Sequence, residues 1–223
     1  MFGAKAQIAA LEKRASFELA MVPYTTERGY QPKHADVLRI NPKGQVPVLI
    51  DGSVEIYDST QIFEYLEDRY PTPALWPAEP AQRAAARKLE HASDEVFFVQ
   101  VIKLMRRSAS SPETRREARA NIAEYYRQMD AMVSRGEFLA GASFGYADIA
   151  FYMAQLFAAF LGASMTDDTP KLMQWRLRMT ERSAVAAVAA PMARFMAANG
   201  IEVPEFLQAI AQERGGASMH PRT

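Results

Sequence analysis

The chain has 223 residues, 49% hydrophobic and 23% charged, enough to bury a sizeable core in one large domain or two small ones. Lys+Arg and Asp+Glu are both 26, and a formal net charge of zero gives no electrostatic ground for a nucleic-acid or anionic-membrane partner. The absence of cysteine excludes disulfides, a cysteine nucleophile, thiolate-held metals and iron–sulfur clusters, while three scattered histidines (His34, His91, His220) argue against a histidine-rich metal site.

The N-terminal stretch MFGAKAQIAALEKRA is basic but has no uninterrupted apolar core, so it reads as an amphipathic helix and not as a signal peptide. Ala4 to Lys13 is its helical part, with Ile8 and Leu11 on one side. Phe17 to Val22 (FELAMV) has strand length and is closed by Pro23. His34 to Ile40 reads as a short helix, Asn41-Pro42-Lys43-Gly44 as a turn, and Val46 to Ile50 as a strand. Asp51-Gly52 signals a type I′ hairpin turn with Val54 to Tyr57 as the returning strand. Asp58-Ser59-Thr60 then caps a helix that buries Ile62, Phe63, Leu66 and Tyr70.

The proline-rich segment Pro71 to Pro80 has the look of an interdomain linker, and beyond it the strand signal vanishes. A long helix is expected from about Ala81 to Arg107, and another opens at Ser111-Pro112-Glu113 and ends at Gly136. Further helices span about Tyr146 to Leu161, begin at Thr169-Pro170, and cover Ala184 to Ala198. The closing ERGGASMHPRT is polar and expected to fray. The expected domains are therefore an α/β unit over residues 1–72, a linker at 73–80 and an all-helical unit over 81–223. With no cysteine and no apolar span long enough to cross a bilayer, the composition fits a reducing, cytoplasmic setting.

Two residue pairs carry chemistry. Proline cannot donate to a sheet ladder, so Pro47 at a strand entry implies an edge, a turn or a cis bond. A cis bond would leave the Val46 amide and carbonyl free to pair with an extended peptide; the plain alternative is a turn proline. Asp58-Ser59 opens a helix, where unpaired N–H groups suit a carboxylate and a neighbouring acid suits an ammonium. Together they could hold both charged ends of an amino acid, and ordinary capping is the alternative.

The segment NPKGQVPVLIDGSVEIYDSTQIFEYLEDRYP resembles the second half of the N-terminal domain of cytosolic glutathione transferases. The family pattern there is an Asn-Pro-x-Gly-x-Val-Pro turn and strand, a hairpin, an acid-Ser pair, and a helix ending in Tyr-Leu-x-x-x-Tyr-Pro. Phe144 to Ile149 (FGYADI) is similar to the family's N-capping box, with Gly145 where Ser or Thr is usual, so only Asp148 of the box remains. Trp175 to Ala187 looks like the family's penultimate helices, and the resemblance runs over about residues 2 to 195. It implies a thioredoxin-like α/β domain followed by an all-α domain, a homodimer, and glutathione as co-substrate with no metal. It further implies that Val46 pairs with the cysteinyl backbone of glutathione, that Pro47 is cis, and that Asp58 and Ser59 hold the γ-glutamyl ammonium and carboxylate. Lys43 and Gln45 would lie near the glycine carboxylate, and Phe98, Val101 and Met105 could wall a pocket for the electrophile; interhelical packing is the alternative for those three.

The departure from the family is at the front, where FGAKAQIAALEK already corresponds to the first helix. The strand that should precede it, central in a thioredoxin-like sheet, is not in this sequence, nor is the hydroxyl or thiol residue that would meet the sulfur of glutathione. A free thiol has a pKa of about 8.5, so lowering it is the core of catalysis. The catalytic residue is thus unassigned, leaving the amides of Phe2, Gly3 and Ala4 as weak stabilisers of a sulfur anion. Three explanations stay open: a native start upstream of Met1, a binding-only relative, or a hydroxyl from Tyr24 or Ser16. The expected activity is conjugation of glutathione to a small electrophile; a non-catalytic glutathione-binding or protein-interaction role, or a glutathione-dependent isomerase or dehalogenase, are the alternatives.

Overall fold

The computed structural model describes residues 1–25, 28–105, 108–133 and 136–212. Helix α1 (Phe2–Glu12) comes first, with Ile8 and Ala9 fully buried. The strand expected at Phe17 to Val22 does not form: the segment has no ladder partner among the described residues, and Phe17, Leu19 and Met21 are exposed. An apolar run of strand length becomes a strand only where a second backbone accepts its hydrogen bonds. What forms instead is a minimal antiparallel pair, β1 (Tyr24–Thr25) and β2 (Gly29–Tyr30), with Tyr24 opposite Tyr30.

Helix α2 (Ala35–Ile40) follows, capped by the His34 side chain. Strands β3 (Val48–Asp51) and β4 (Val54–Tyr57) pair antiparallel from Val48↔Tyr57 to Asp51↔Val54, and β4 is the sole ladder partner of β3 among the described residues. The hairpin expected at Asp51-Gly52 is present but centred one residue later, on Gly52-Ser53. Gly52 takes φ +59° while Ser53 stays out of the positive region, so the turn is not type I′, which needs both. Helix α3 (Ser59–Arg69) buries Ile62, Phe63 and Leu66 as its spacing requires, while Tyr70, expected on the same stripe, is its half-buried C-cap.

The proline-rich segment after α3 is tied down. The Glu67 carboxylate accepts from the Leu75 amide at 3.1 Å and the Trp76 amide at 3.3 Å, and Lys13 pairs with Glu67 and donates to the Pro73 carbonyl. Leu75 and Trp76 are buried as a result.

The remainder is helical: α4 (Pro80–Ala92), a π-helical turn (Ser93–Phe97), α5 (Phe98–Leu104), α6 (Pro112–Val133), α7 (Tyr146–Phe160), α8 (Pro170–Thr180), α9 (Ser183–Ala198) and α10 (Glu205–Gln212). The single helix expected over 81–107 is therefore broken. Ser93 Oγ donates to the Leu89 carbonyl at 2.8 Å where the ladder widens to π spacing, and α5 stops at Leu104. Arg106 and Arg107, expected at its end, lie outside the described residues, as does the terminal ERGGASMHPRT. Helix α10 was not anticipated; its eight residues are too few for periodicity to declare, and Leu207 is its one fully buried side chain.

Helix α7 is the axis of the helical part, with every residue but Phe157 buried. Its entry is fixed by Asp148, whose carboxylate accepts from the Leu139 amide (3.0 Å), the Gly145 amide (3.1 Å) and the Trp175 indole N–H (2.8 Å). The surviving half of the capping box thus forms as expected. Helix α1 packs against α3, α7 and α9, joining the α/β part to the helices.

Candidate functional site

The loop from Asn41 to Pro47 is shaped by one side chain. Asn41 Nδ2 donates to the Gln45 carbonyl at 2.6 Å, Asn41 Oδ1 accepts from the Lys43 amide at 2.9 Å, and the Gly44 amide closes onto the Asn41 carbonyl at 2.7 Å. Gly44 sits at φ +57°, where a side chain is strained, and the Lys33 ammonium donates to its carbonyl. The Val46–Pro47 bond is cis. The amide and carbonyl of Val46 have no hydrogen-bond partner among the described residues, and β3 begins only at Val48.

At the other end of the hairpin, Asp58 caps α3: one carboxylate oxygen accepts from the Thr60 amide (2.9 Å) and the Gln61 amide (3.3 Å). Asp58 itself has φ 77°, ψ 131°, a backbone region that residues with a Cβ rarely occupy and one that concentrates at binding sites. Ser59 is buried at the first turn, and Thr60 donates to Glu90 Oε1 at 3.0 Å.

Beneath this helix terminus lies a buried charge cluster. The Lys5 ammonium, fully buried, reaches Glu90 at 2.9 Å and Asp94 at 2.6 Å and lies 5.2 Å from the Phe63 ring centroid. Burial pushes the Asp94 carboxyl up to about 6; Lys5 opposes the shift, and the negative charges of Glu90 and Asp58 add to it. The second oxygen of Asp94 is buried with no partner among the described residues.

A cavity of about 210 Å³ opens beside the loop, lined by Phe2, Val22, Tyr30, Lys33, His34, Val37, Gly44, Gln45 and Val46. It brings the N-terminus of α1 against the free backbone of Val46, with an ammonium and an imidazole on the same wall. Space is open above Gly3, so the first amides of α1 are approachable from that side.

Of the residues singled out from sequence, Gln45 and Val46 line the cavity, Lys43 is exposed at its rim loop, and Asp58 and Ser59 stand at the α3 terminus outside the cavity wall. Phe98 and Val101 are buried in the core, Phe98 edge-on to Phe2 at 5.6 Å, and offer no surface to a ligand; Met105 packs half-buried beside them. Ser16 is exposed away from the cavity lining. Lys33 and His34 escaped the sequence reading because they precede the motif by eight and seven residues and meet it only through the fold. The Asn-Pro-x-Gly pattern, by contrast, could have flagged Asn41 as the clamp of the turn. Among the described residues no group of acids and histidines could hold a metal ion, and no helix is long and apolar enough to cross a membrane.

A small α/β part presenting a free backbone edge next to helix N-termini, packed on an all-helical part, places the chain in the class of thioredoxin-like proteins with a helical C-terminal half. The family model for the N-terminal domain of glutathione S-transferases matches residues 1–74, and that for the C-terminal domain matches residues 92–183. The chain is 31% identical over 164 residues to glutathione S-transferase GstB of Escherichia coli (69% of this chain, 77% of GstB). It is 28% identical over 196 residues to a probable glutathione S-transferase, parC, of Nicotiana tabacum, covering 83% of each. Among solved structures, a glutathione S-transferase from Rhodospirillum rubrum F11 superposes with a TM-score of 0.77 at 27% identity, covering 92% of this chain and 93% of that one. This chain belongs to the glutathione S-transferase family.

Proposed function

We propose that the protein is a glutathione transferase that seats the tripeptide between the Asn41–Pro47 loop and the N-termini of α1 and α3, and transfers its sulfur to a small electrophile. The observation that carries the reading is the cavity itself: an unpaired backbone edge at Val46, the Lys33 ammonium and the His34 imidazole on one wall, and the start of α1 meet in one place. Val46 pairs with the cysteinyl backbone, and Lys33, with Lys43 and Gln45 nearby, faces the glycine carboxylate. Ser59 and the α3 amides take the γ-glutamyl carboxylate, and the second oxygen of Asp58 takes the ammonium. The sulfur then lies towards Phe2, Gly3 and Ala4, whose amides stabilise the thiolate; its proton goes to solvent and the sulfur attacks the electrophile.

We further infer a cytoplasmic homodimer. Val96, Val99 and Ile102 form an exposed apolar stripe along the π turn and α5, suited to a second copy. Light scattering that returns a monomer at all concentrations would remove the dimer.

Retention on immobilised glutathione together with turnover of an aryl halide supports the transferase. Retention without turnover moves the protein to the non-catalytic reading, and substrate conversion with no loss of glutathione moves it to an isomerase.

A further inference from the structure

Arg176 of α8 is a buried cation with no counter-ion among the described residues. It is 7% exposed, and its Nε and Nη1 are buried without a hydrogen-bond partner. Phe206 of α10 covers one face, with its ring centroid 4.1 Å from Cζ. A ring on the face offsets part of the charge but leaves the N–H donors free, because they point outward in the guanidinium plane. The groups whose charge acts on Arg176 are Tyr126 of α6, Tyr152 of α7 and Glu205 of α10. Tyr126 donates its hydroxyl to the Ala163 carbonyl at 2.9 Å, and the Tyr152 hydroxyl is hydrogen-bonded to Thr180 Oγ1 at 2.8 Å. Burial pushes both phenols up, so neither supplies a negative charge at physiological pH. Glu205 is exposed and does not approach within ion-pair distance.

We propose that Arg176 is the floor of a binding site for a compact oxyanion, a phosphate or carboxylate group seated at the edge of the guanidinium between α8 and α10. A guanidinium stays charged at every physiological pH, so burying it unpaired is costly. An anion with two oxygens in the guanidinium plane answers both the charge and the free donors, whereas a spherical halide offers a single acceptor point. Tyr126 also lines an open cavity of about 180 Å³ with Arg119, Ile122, Gly162, Ala163 and Ser164, which gives room for a group of that size beside this tyrosine. Leu207 is the one fully buried side chain of α10, so this helix is the element that yields to admit the ligand and is then pinned by it. Neither α8 nor α10 contributes to the cavity at the Asn41–Pro47 loop, so the inference stands apart from the reading of that cavity.

The test follows thermal unfolding of the full chain at constant ionic strength as chloride is replaced by inorganic phosphate or by acetate, with glutathione present throughout. Wild type should gain about 2–6 °C on going from roughly 1 to 50 mM of the oxyanion that binds, and the probe that gives the gain identifies the class. Arg176→Met removes the charge at similar volume; it should be at least as stable as wild type in chloride and show no gain with either oxyanion. Arg176→Lys keeps the charge without the planar fork and should lose most of the gain. The glutathione Kd should be the same in all three proteins. Calorimetric titration of phosphate and of acetate into wild type reads the binding directly, and the absence of saturable binding of both overturns the site without recourse to any variant. An equal gain in wild type and in folded Arg176→Met also overturns it, because the oxyanion would then act elsewhere.

Discussion

Gly145 lets the carbonyl oxygen of Leu75 occupy the place where a side chain would begin: a Cβ added there would stand 2.4 Å from that oxygen. The same carbonyl accepts from the Tyr146 amide at 3.3 Å, joining the proline-rich segment to the start of α7. Considered by itself, glycine at this N-cap is only a slightly weaker cap than the Ser or Thr usual in the family. In the fold it is a steric requirement, since Leu75 is buried and held through Glu67.

Gly145→Ser should therefore destabilise the protein by about 1–3 kcal/mol, although it restores the family's capping residue. Urea unfolding measures it directly. A variant as stable as wild type or more so would mean that the Leu75 carbonyl moves aside at no cost.

The capping role of Asp58 and the ammonium-binding role proposed for it can be separated by one substitution. Asp58→Asn retains a side-chain acceptor for the Thr60 and Gln61 amides, so α3 and the melting temperature should hold. Glutathione affinity should fall by roughly tenfold or more, the scale of one hydrogen bond to a charged group. Calorimetric titration with an unchanged Kd would show that the γ-glutamyl ammonium lies elsewhere. Asp58→Ala with Ser59→Ala should weaken binding further while leaving the fold largely intact.

Lys33 donates to the Gly44 carbonyl and faces the cavity. Lys33→Met should raise the KM for glutathione several-fold, consistent with loss of a charged partner. With the glycine carboxylate esterified, the same substitution should have little effect. Equal effects on the acid and the ester would assign Lys33 to the loop geometry alone.

Asp94 makes a pH dependence of definite sign. Its carboxyl is held up to about 6, above the ordinary value of 3.8, chiefly by burial. Between those values the native state keeps a proton that the unfolded chain has released, so stability from this group is lost as pH rises from about 4 to 6. Wild type should gain up to about 2 kcal/mol relative to Asp94→Asn when pH is lowered through that window. A difference that stays flat from pH 4 to 7, measured by urea unfolding, would mean that Lys5 fully compensates the burial.

Asp148 is the acceptor for three N–H donors, one from the Trp175 indole and two from backbone around the α7 entry. Asp148→Ala leaves all three buried without a partner and should cost about 3–5 kcal/mol. Loss of the thermal transition, or a melting temperature far below wild type, is the expected result; a near-normal transition would mean that water replaces the carboxylate.

The features legible in the sequence were those encoded within a few residues of one another. The Asn41–Gly44 turn, the hairpin, the Asp58 cap and the α7 entry at Asp148 each depend on local hydrogen bonds, and all four formed near their expected positions. The hairpin slipped by one residue because either Asp51-Gly52 or Gly52-Ser53 puts a glycine where positive φ is needed. The features that failed depend on distant partners. Phe17 to Val22 has the composition of a strand, but a strand exists only where another backbone completes its ladder. Phe98 and Val101 have helical spacing that suits a pocket wall or a core equally well; both are buried, with Phe98 packed against Phe2 of α1 and Phe157 of α7. Lys33 and His34 carry no motif, and Phe195, edge-on to Tyr24 at 6.0 Å, is separated from Tyr24 and Tyr30 by most of the chain. By itself, then, the sequence determined the turn, the hairpin and the helix cap between Asn41 and Tyr70, because backbone geometry and capping act locally. The tertiary structure alone decided that Lys33, His34 and Tyr30 share a cavity with Gln45 and Val46, because chain packing, not spacing, puts separated side chains within contact distance.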